Sequence, residues 1–298
     1  MLTILHGSDL HFGKPFDAKV AGVLQRTIRD LSPDLLVLSG DFTQRAKIRE
    51  YQEAREFLGA LPDLPLVVTP GNHDVPLYRV WERLFAPLRN YREFISPELD
   101  TVTPVSGATV VSLNTTAPLQ AIVNGRLRDR QLLFAADAFQ DVPEGDLRVV
   151  ALHHHLAPAP DYESDQVLPG FQRCLGAFSK MKVDLILGGH LHRAYIANSL
   201  DTYPTEDGRH GIVIAHSGTT TSRRGRARER NKNSFNLIGI AGDHMVISHY
   251  IYVDEEGAFV PVGTHAFPRR TERFLNADPI RERLSPGARD SLGEREGL

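Results

Sequence analysis

Short apolar runs rich in β-branched residues alternate with stretches of helical periodicity over the first two thirds of the chain. This alternation constrains the fold more than any other feature. LTILH (2–6) is followed by a helical pattern near 17–31, LLVLSG (35–40) by one at 47–61, and LVVTP (66–70) by one at 76–95. LRVVALH (147–153) is followed by 171–181 before VDLILGG (183–189). That order predicts a layered α/β protein. LLVL and DLILGG lack strict polar alternation, as strands covered on both faces do. From about 191 the pattern changes. IVIAHS, FNLIGIAG, HMVISHYIYV and AFVPVG read as successive strands joined by Gly or Asp turns, which predicts a second, antiparallel sheet portion.

At 298 residues, 41% of them hydrophobic, the chain reads as one large domain over residues 1–267. Residues 268–298 are charged and carry several prolines and glycines, so they read as a tail, partly mobile. The formal net charge of −3 predicts no global attraction to nucleic acid or to an anionic membrane. A single cysteine, Cys174, excludes an internal disulfide and a thiolate metal cluster, and fits a cytoplasmic location. The start has no basic region of a signal peptide, and no run of about 18 apolar residues occurs, so no membrane partner is expected.

The apolar runs share a second property: each ends in metal-ligating residue types. The first runs into SDLH, with Asp9 and His11 two apart; the second into Gly40-Asp41; the third into GNHD, residues 71–74. A later run ends in HHH (153–155) and another in GHLH, with His190 and His192 two apart. In open α/β sheets ligands bind outside the carboxyl ends of the strands, so these residues would converge on one rim. Each motif alone is commonplace, GNHD being also a turn closed by a helix cap. Together they point to a metal site. Carboxylate, amide and imidazole donors without thiolate suit Mn, Fe, Zn or Ni, whereas calcium would want more oxygens.

The series Asp9-Leu10-His11, Gly40-Asp41, Gly71-Asn72-His73-Asp74, a histidine in HHH, and Gly189-His190-Leu191-His192 resembles the calcineurin-like metallophosphoesterases, whose motifs are DxH, GD, GNH(D/E), H and GHxH. All five motifs stand in order over roughly residues 3–193. Sparing insertions, the LHHH stretch followed by a proline, and SGTTTSRRGR…NSFNLIGI resemble more loosely the class III cyclic-nucleotide phosphodiesterase branch. The resemblance implies a four-layer αββα sandwich of two mixed β-sheets flanked by helices, with residues 1–267 as the catalytic domain. It implies a dinuclear centre of Mn, Fe, Zn or Ni, with Mn or Fe first. One ion would take Asp9, His11, Asp41 and His192, and the other Asp41, Asn72, His153 and His190. Family members usually carry HHP where this chain has HHHLAP, so His154 is the alternative to His153.

By resemblance His73 binds no metal and is free to hold a proton for the leaving alkoxide or to steady phosphoryl charge. Asp74 is expected to orient it by a hydrogen bond, and also fits a helix cap before Val75 and Pro76. Paired ions lower the pKa of bound water toward ~7 and clamp the reacting phosphoryl group. The expected activity is hydrolysis of a small phosphodiester, such as a cyclic nucleotide, by metal-bound hydroxide. A nuclease is the alternative within the superfamily, and a catalytically silent scaffold the alternative from another class; the intact motif set stands against the scaffold. The arginine-rich run SRRGRARER (222–230) reads either as a phosphate or nucleic-acid contact or as a solvated loop, and nucleic acid is not the favoured partner. His6, His216 and His244 read as structural histidines. The aromatic segment 78–94 reads as an amphipathic helix or cap that shapes the rim.

Overall fold

The computed structural model describes residues 1–120, 124–159, 166–202, 211–242 and 244–269. β1 (Leu2–Gly7), β2 (Leu35–Leu38) and β3 (Leu66–Val68) lie side by side in parallel, linked through α1 (Ala18–Leu31) and α2 (Ile48–Gly59). α1 starts where the Asp17 carboxylate accepts from the N–H groups of Lys19 and Val20, and it ends at Ser32 in the left-handed region. Val20, Leu24 and Ile28, four residues apart, form the face it buries.

The second sheet is built on β5 (Ala108–Ser112), β6 (Leu147–Ala151), β7 (Leu185–Gly188) and β9 (Val213–His216), all parallel. β4 (Thr101–Val105) and β8 (Tyr195–Asn198) close its two edges in antiparallel pairing. α5 (Asp129–Gln140) and α6 (Phe171–Lys180) cover its outer face. β10 (Ser234–Ala241), β11 (His244–Val253) and β12 (Ala258–Pro268) complete the first sheet, giving the orders β12-β11-β10-β1-β2-β3 and β4-β5-β6-β7-β9-β8.

Alternation along each strand sorts its side chains into layers. Ile4, Val37, Val110, Val149 and Leu185 fill the core between the sheets. Leu5, Leu36 and Leu38 point the other way, onto the α1 and α2 side, while Val111, Val150 and Ile186 pack with α5 and α6. The result is the four-layer αββα sandwich. Each of these buried aliphatic side chains contributes about 1.5–3 kcal/mol.

Two expectations need refinement, and three elements were not anticipated. β10, β11 and β12 form the antiparallel portion expected after residue 191, but as an extension of the first sheet, and not every strand after 191 belongs to it. β9 joins β7 in parallel, and β10 pairs along the free edge of β1, Leu2 opposite Ile240, which sends Ile238 and Ile240 into the inter-sheet core. The helical pattern at 76–95 splits into α3 (Val80–Phe85) and α4 (Arg89–Phe94). Pro87 causes the break: it disfavours helical backbone at the preceding residue, and Ala86 sits at φ −150°, ψ 56°. β4, β5 and α5 were not anticipated; Pro104 inside β4 is tolerated because β4 is an edge strand. The charged tail expected over 268–298 lies, from residue 270 on, outside the described residues.

Candidate metal centre and its rim

The parallel strands of both sheets bring their carboxyl ends to one rim, and the backbone turns sharply there. Asp9 (φ 55°), His11 (51°), Asp41 (56°), His190 (75°) and His192 (57°) all adopt the left-handed region. Asp and His enter it more readily than most residues, yet each such residue costs roughly 1–3 kcal/mol. The strain is concentrated where side chains must leave the strand direction and aim at a common point. Two motif glycines answer the same demand for closeness. A Cβ on Gly71 would collide with Asp41, and one on Gly189 with Ser8 and Asp9.

Each aspartate divides its oxygens. Asp9 Oδ2 accepts the His190 N–H (3.0 Å) and Asp41 Oδ1 accepts the His73 N–H (2.7 Å), fixing the loops. Asp9 Oδ1 and Asp41 Oδ2 are buried without a hydrogen-bond partner. Asp9 Oδ1 lies 3.1 Å from His192 Nε2 and 3.5 Å from His11 Nε2. Asp41 Oδ2 lies 3.6 Å from His11 Nε2 and 3.5 Å from His153 Nε2, between two groups of donors. In the first group the ligand atoms of Asp9, His11, Asp41 and His192 fall within 4.8 Å of one another. In the second, Asn72 Oδ1 is 3.1 Å from His153 Nε2 and 2.8 Å from His190 Nδ1.

These contacts suit cations. His153 Nδ1 lies 2.7 Å from the Ser39 carbonyl, which can only accept, so Nδ1 carries the proton and Nε2 presents a lone pair. That lone pair faces the Asn72 carbonyl oxygen, two acceptors in contact unless a cation stands between them. Burial pushes His11, His153 and His190 down, toward the neutral imidazole that ligates metal. Burial alone would raise Asp9, but the His192 and His11 rings outweigh it and hold it well below the usual carboxylate range. Burial, then the charges of Asp9 and Asp74, push Asp41 well above that range. Positive charge between the two carboxylates would favour the ionised form of both. The donor set of carboxylate, imidazole and amide therefore fits divalent metal.

In the HHH stretch the three rings make different contacts. His153 reaches Asn72 and Asp41, while His154 turns its Nδ1 to Thr115 Oγ1 (2.7 Å). His155 stacks on the His190 ring at 5.8 Å. His6 bonds Ser39 Oγ, His216 stacks on Tyr195, and His244 is exposed on β11.

At the rim, half-buried His73 sets its ring edge-on to His11 (centroids 4.8 Å apart). The expected hydrogen bond from Asp74 to this ring is not made. Asp74 instead accepts from the N–H groups of Phe42, Thr43 and Gly71 and from Thr43 Oγ1, tying the loops after β2 and β3 together. The buried carboxylate is surrounded by backbone donors on its own side, so no lone pair is left for the imidazole. His73 Nδ1 donates to the Gln44 carbonyl (2.8 Å), and its Nε2 accepts from Arg224 Nη1 (3.1 Å), which also donates to Gln44 Oε1 (2.9 Å). Burial, then the Arg224 guanidinium, push His73 down to about 4. Within the arginine run the two readings separate. Arg223 is exposed and pairs with Asp17, whereas Arg224 reaches His73 at the rim. The basic run was the only signal for Arg224, and Gln44 had none.

A family model described as calcineurin-like phosphoesterase matches residues 2–194, and the chain belongs to that family. It is similar to a probable cyclic nucleotide phosphodiesterase of Synechococcus sp., 26% identical over 173 residues, which covers 57% of this chain and 62% of that protein. A UDP-2,3-diacylglucosamine pyrophosphatase of Chlamydia muridarum is 36% identical over 78 residues, 26% of this chain and 24% of that one. The matches thus span less than two thirds of either relative's length. Among solved structures, the purple acid phosphatase from yellow lupin (Lupinus luteus) seeds shares the fold, with a TM-score of 0.67 at 11% identity over 90% of this chain and 53% of that one.

Proposed function

We propose that the chain is a metal-dependent phosphodiesterase acting on small diesters of the cyclic-nucleotide class. The observation that carries this reading is the pair of partnerless oxygens, Asp9 Oδ1 and Asp41 Oδ2, facing the donor atoms of His11, His192, His153 and, through Asn72, His190. Asp9, His11, Asp41 and His192 would hold one divalent ion, and Asp41, Asn72, His153 and His190 the other. Such ions, when bound, supply Lewis-acid polarisation of a phosphoryl oxygen. Mn or Fe, then Zn or Ni, suit the donors. The likeness to the Synechococcus protein supports the diesterase branch.

The residues around the centre divide the remaining work. Arg224 donates to two neutral acceptors, Gln44 Oε1 and His73 Nε2, and a phosphodiester anion competes for the guanidinium with stronger, charge-assisted hydrogen bonds. Substrate binding would move Arg224 onto a non-bridging oxygen and uncover His73 Nε2. His73, fixed at Nδ1 by the Gln44 carbonyl, then presents Nε2, which would take up a proton from solvent beside the bound anion once Arg224 has moved away and pass it to the departing alkoxide. Asp74 acts at one remove, by fixing the loops that carry Asp41 and His73.

A diester brings one negative charge and an alkoxide leaving group, which gives both rim residues a task. A monoester dianion would be held tightly in its ground state, and uniform binding of that kind does not raise kcat. The test compares kcat/KM of one Mn-loaded batch on bis(4-nitrophenyl) phosphate and on 4-nitrophenyl phosphate, followed by cyclic nucleotides. Preference for the diester is expected. Preference for the monoester would move the protein to the phosphatases, and activity on neither with both ions bound would make it a silent scaffold.

A further inference from the structure

α3 is inside out. No residue of Val80–Phe85 is buried. Its apolar side chains Val80, Trp81, Leu84 and Phe85 face solvent, while Arg83 turns inward and donates to the carbonyls of Pro118 (2.6 Å) and Gln120 (2.8 Å). Those two bonds staple the 118–120 loop beside the helix and place Leu119, 75% exposed, next to it. Trp81 (75% exposed) and Phe85 (78%) stack at 5.9 Å with nearly parallel rings. Helices of a folded domain normally bury their apolar stripe, and an uncovered strip of this extent marks a contact surface.

The strip runs into a cleft of about 660 Å³ that Phe85 also lines. Its floor is apolar, with Leu88, Leu99 and Pro118, and its lining carries Arg89, Arg92, Arg128 and Arg130 against a single acid, Glu93. Among the described residues Arg89, Arg128 and Arg130 have no ion-pair partner. Thr116, whose buried hydroxyl has no hydrogen-bond partner, lines the same cleft. Apolar strip and cationic cleft thus share one face of a chain whose net charge is −3.

We infer that this face docks on an anionic lipid surface, with α3 and Leu119 entering the interface and the cleft arginines meeting phosphate headgroups. Trp, Phe and Leu beside arginines is the composition of an interfacial segment. Charge complementarity selects this occupant over a second copy, because a symmetric dimer through the strip would bring the same arginines face to face. The contact is interfacial, since no helix among the described residues is long and apolar enough to cross a membrane. It departs from the expectation of no membrane partner, which rested on net charge and on the lack of a spanning run. It is also independent of the chemistry proposed above.

Trp81 is the only tryptophan in the chain and reports directly on the strip. The full chain is titrated with phosphatidylcholine vesicles, with and without phosphatidylglycerol, while emission and co-sedimentation are followed. The expected result is a blue shift, protection from iodide quenching and sedimentation on the phosphatidylglycerol vesicles only. Arg89→Gln and Arg130→Gln should each weaken that binding about fivefold. Phe85→Ser with Leu119→Ser should abolish it with the thermal unfolding midpoint kept. No shift on either vesicle, or an equal shift on both, would overturn the inference. So would blue-shifted emission without vesicles together with a dimer mass in solution, which would assign the strip to a second copy.

Discussion

Two sets of loops meet at the candidate centre, and they hold their side chains in different ways. The loops after β1, β2, β3, β6 and β7 carry their polar residues within a few positions of a strand end, and left-handed backbone turns those after β1, β2 and β7 inward. The loop after β9, residues 217–233, carries Arg224 well beyond its strand and is positioned from outside. Thr219 Oγ1 donates to the Asp9 carbonyl, Thr221 Oγ1 to the Leu10 carbonyl, and Asp17 N to the Thr221 carbonyl. The first set is defined by local geometry, the second by contacts some two hundred residues apart in sequence. The centre should therefore fail residue by residue, and the rim as a unit.

The largest effects belong to the aspartates. Asp41→Asn should lower metal content at both positions and bring turnover to background, because Asp41 Oδ2 faces both donor groups. Asp9→Asn should cost chiefly one ion, since Asp9 Oδ1 faces only His11 and His192. Metal analysis on purified variants separates the two. Full two-ion occupancy in Asp41→Ala would break the shared-ligand assignment.

Next come the rim residues, which should leave metal content intact. His73→Ala should lower kcat by about 10²–10⁴-fold. The loss should shrink on a substrate whose leaving group needs no proton. Arg224→Ala should cost about 10²–10³-fold on activated and natural diesters alike, with Arg224→Lys recovering part. The two side chains touch at 3.1 Å, so the double variant should lose less than the product of the singles. Strictly multiplicative losses would mean that they act separately.

This comparison also explains what could be read in advance. The βα alternation and the five motif clusters are local patterns, so the layered architecture and the identities of Asp9, His11, Asp41, Asn72, His190 and His192 as candidates were legible. The choice between His153 and His154 was not, because it turns on which ring meets Asn72 across the sheets. β10 to β12 were legible as strands, but not their sheet, since pairing with β1 is set by which edge is open. Asp74 was misread because its partners are backbone groups of the loop after β2, which carry no side-chain signature. Arg224 lay inside a run that composition alone leaves ambiguous.

The smallest effect tests whether the arginine loop is a unit. Glu229, buried at its far end, accepts from Ala194 N (2.7 Å) before β8 and from Ser234 Oγ (2.6 Å) in β10. Burial alone would raise its pKa, but the His249 ring, the Ser234 hydroxyl and the Ala194 N–H outweigh it and hold it below the ordinary value of 4.5. A carboxylate depressed in the folded state stabilises above its unfolded pKa, and that stabilisation is lost as pH falls through the folded pKa. Glu229→Gln should therefore lower unfolding free energy at neutral pH by about 1.5–3 kcal/mol, and the gap from the parent should narrow as pH drops below 4.5. Activity should fall more modestly than in Arg224→Ala, with metal content unchanged. A gap constant from neutral to acid pH would remove the role of charge, and loss of metal would place Glu229 with the centre instead of the rim.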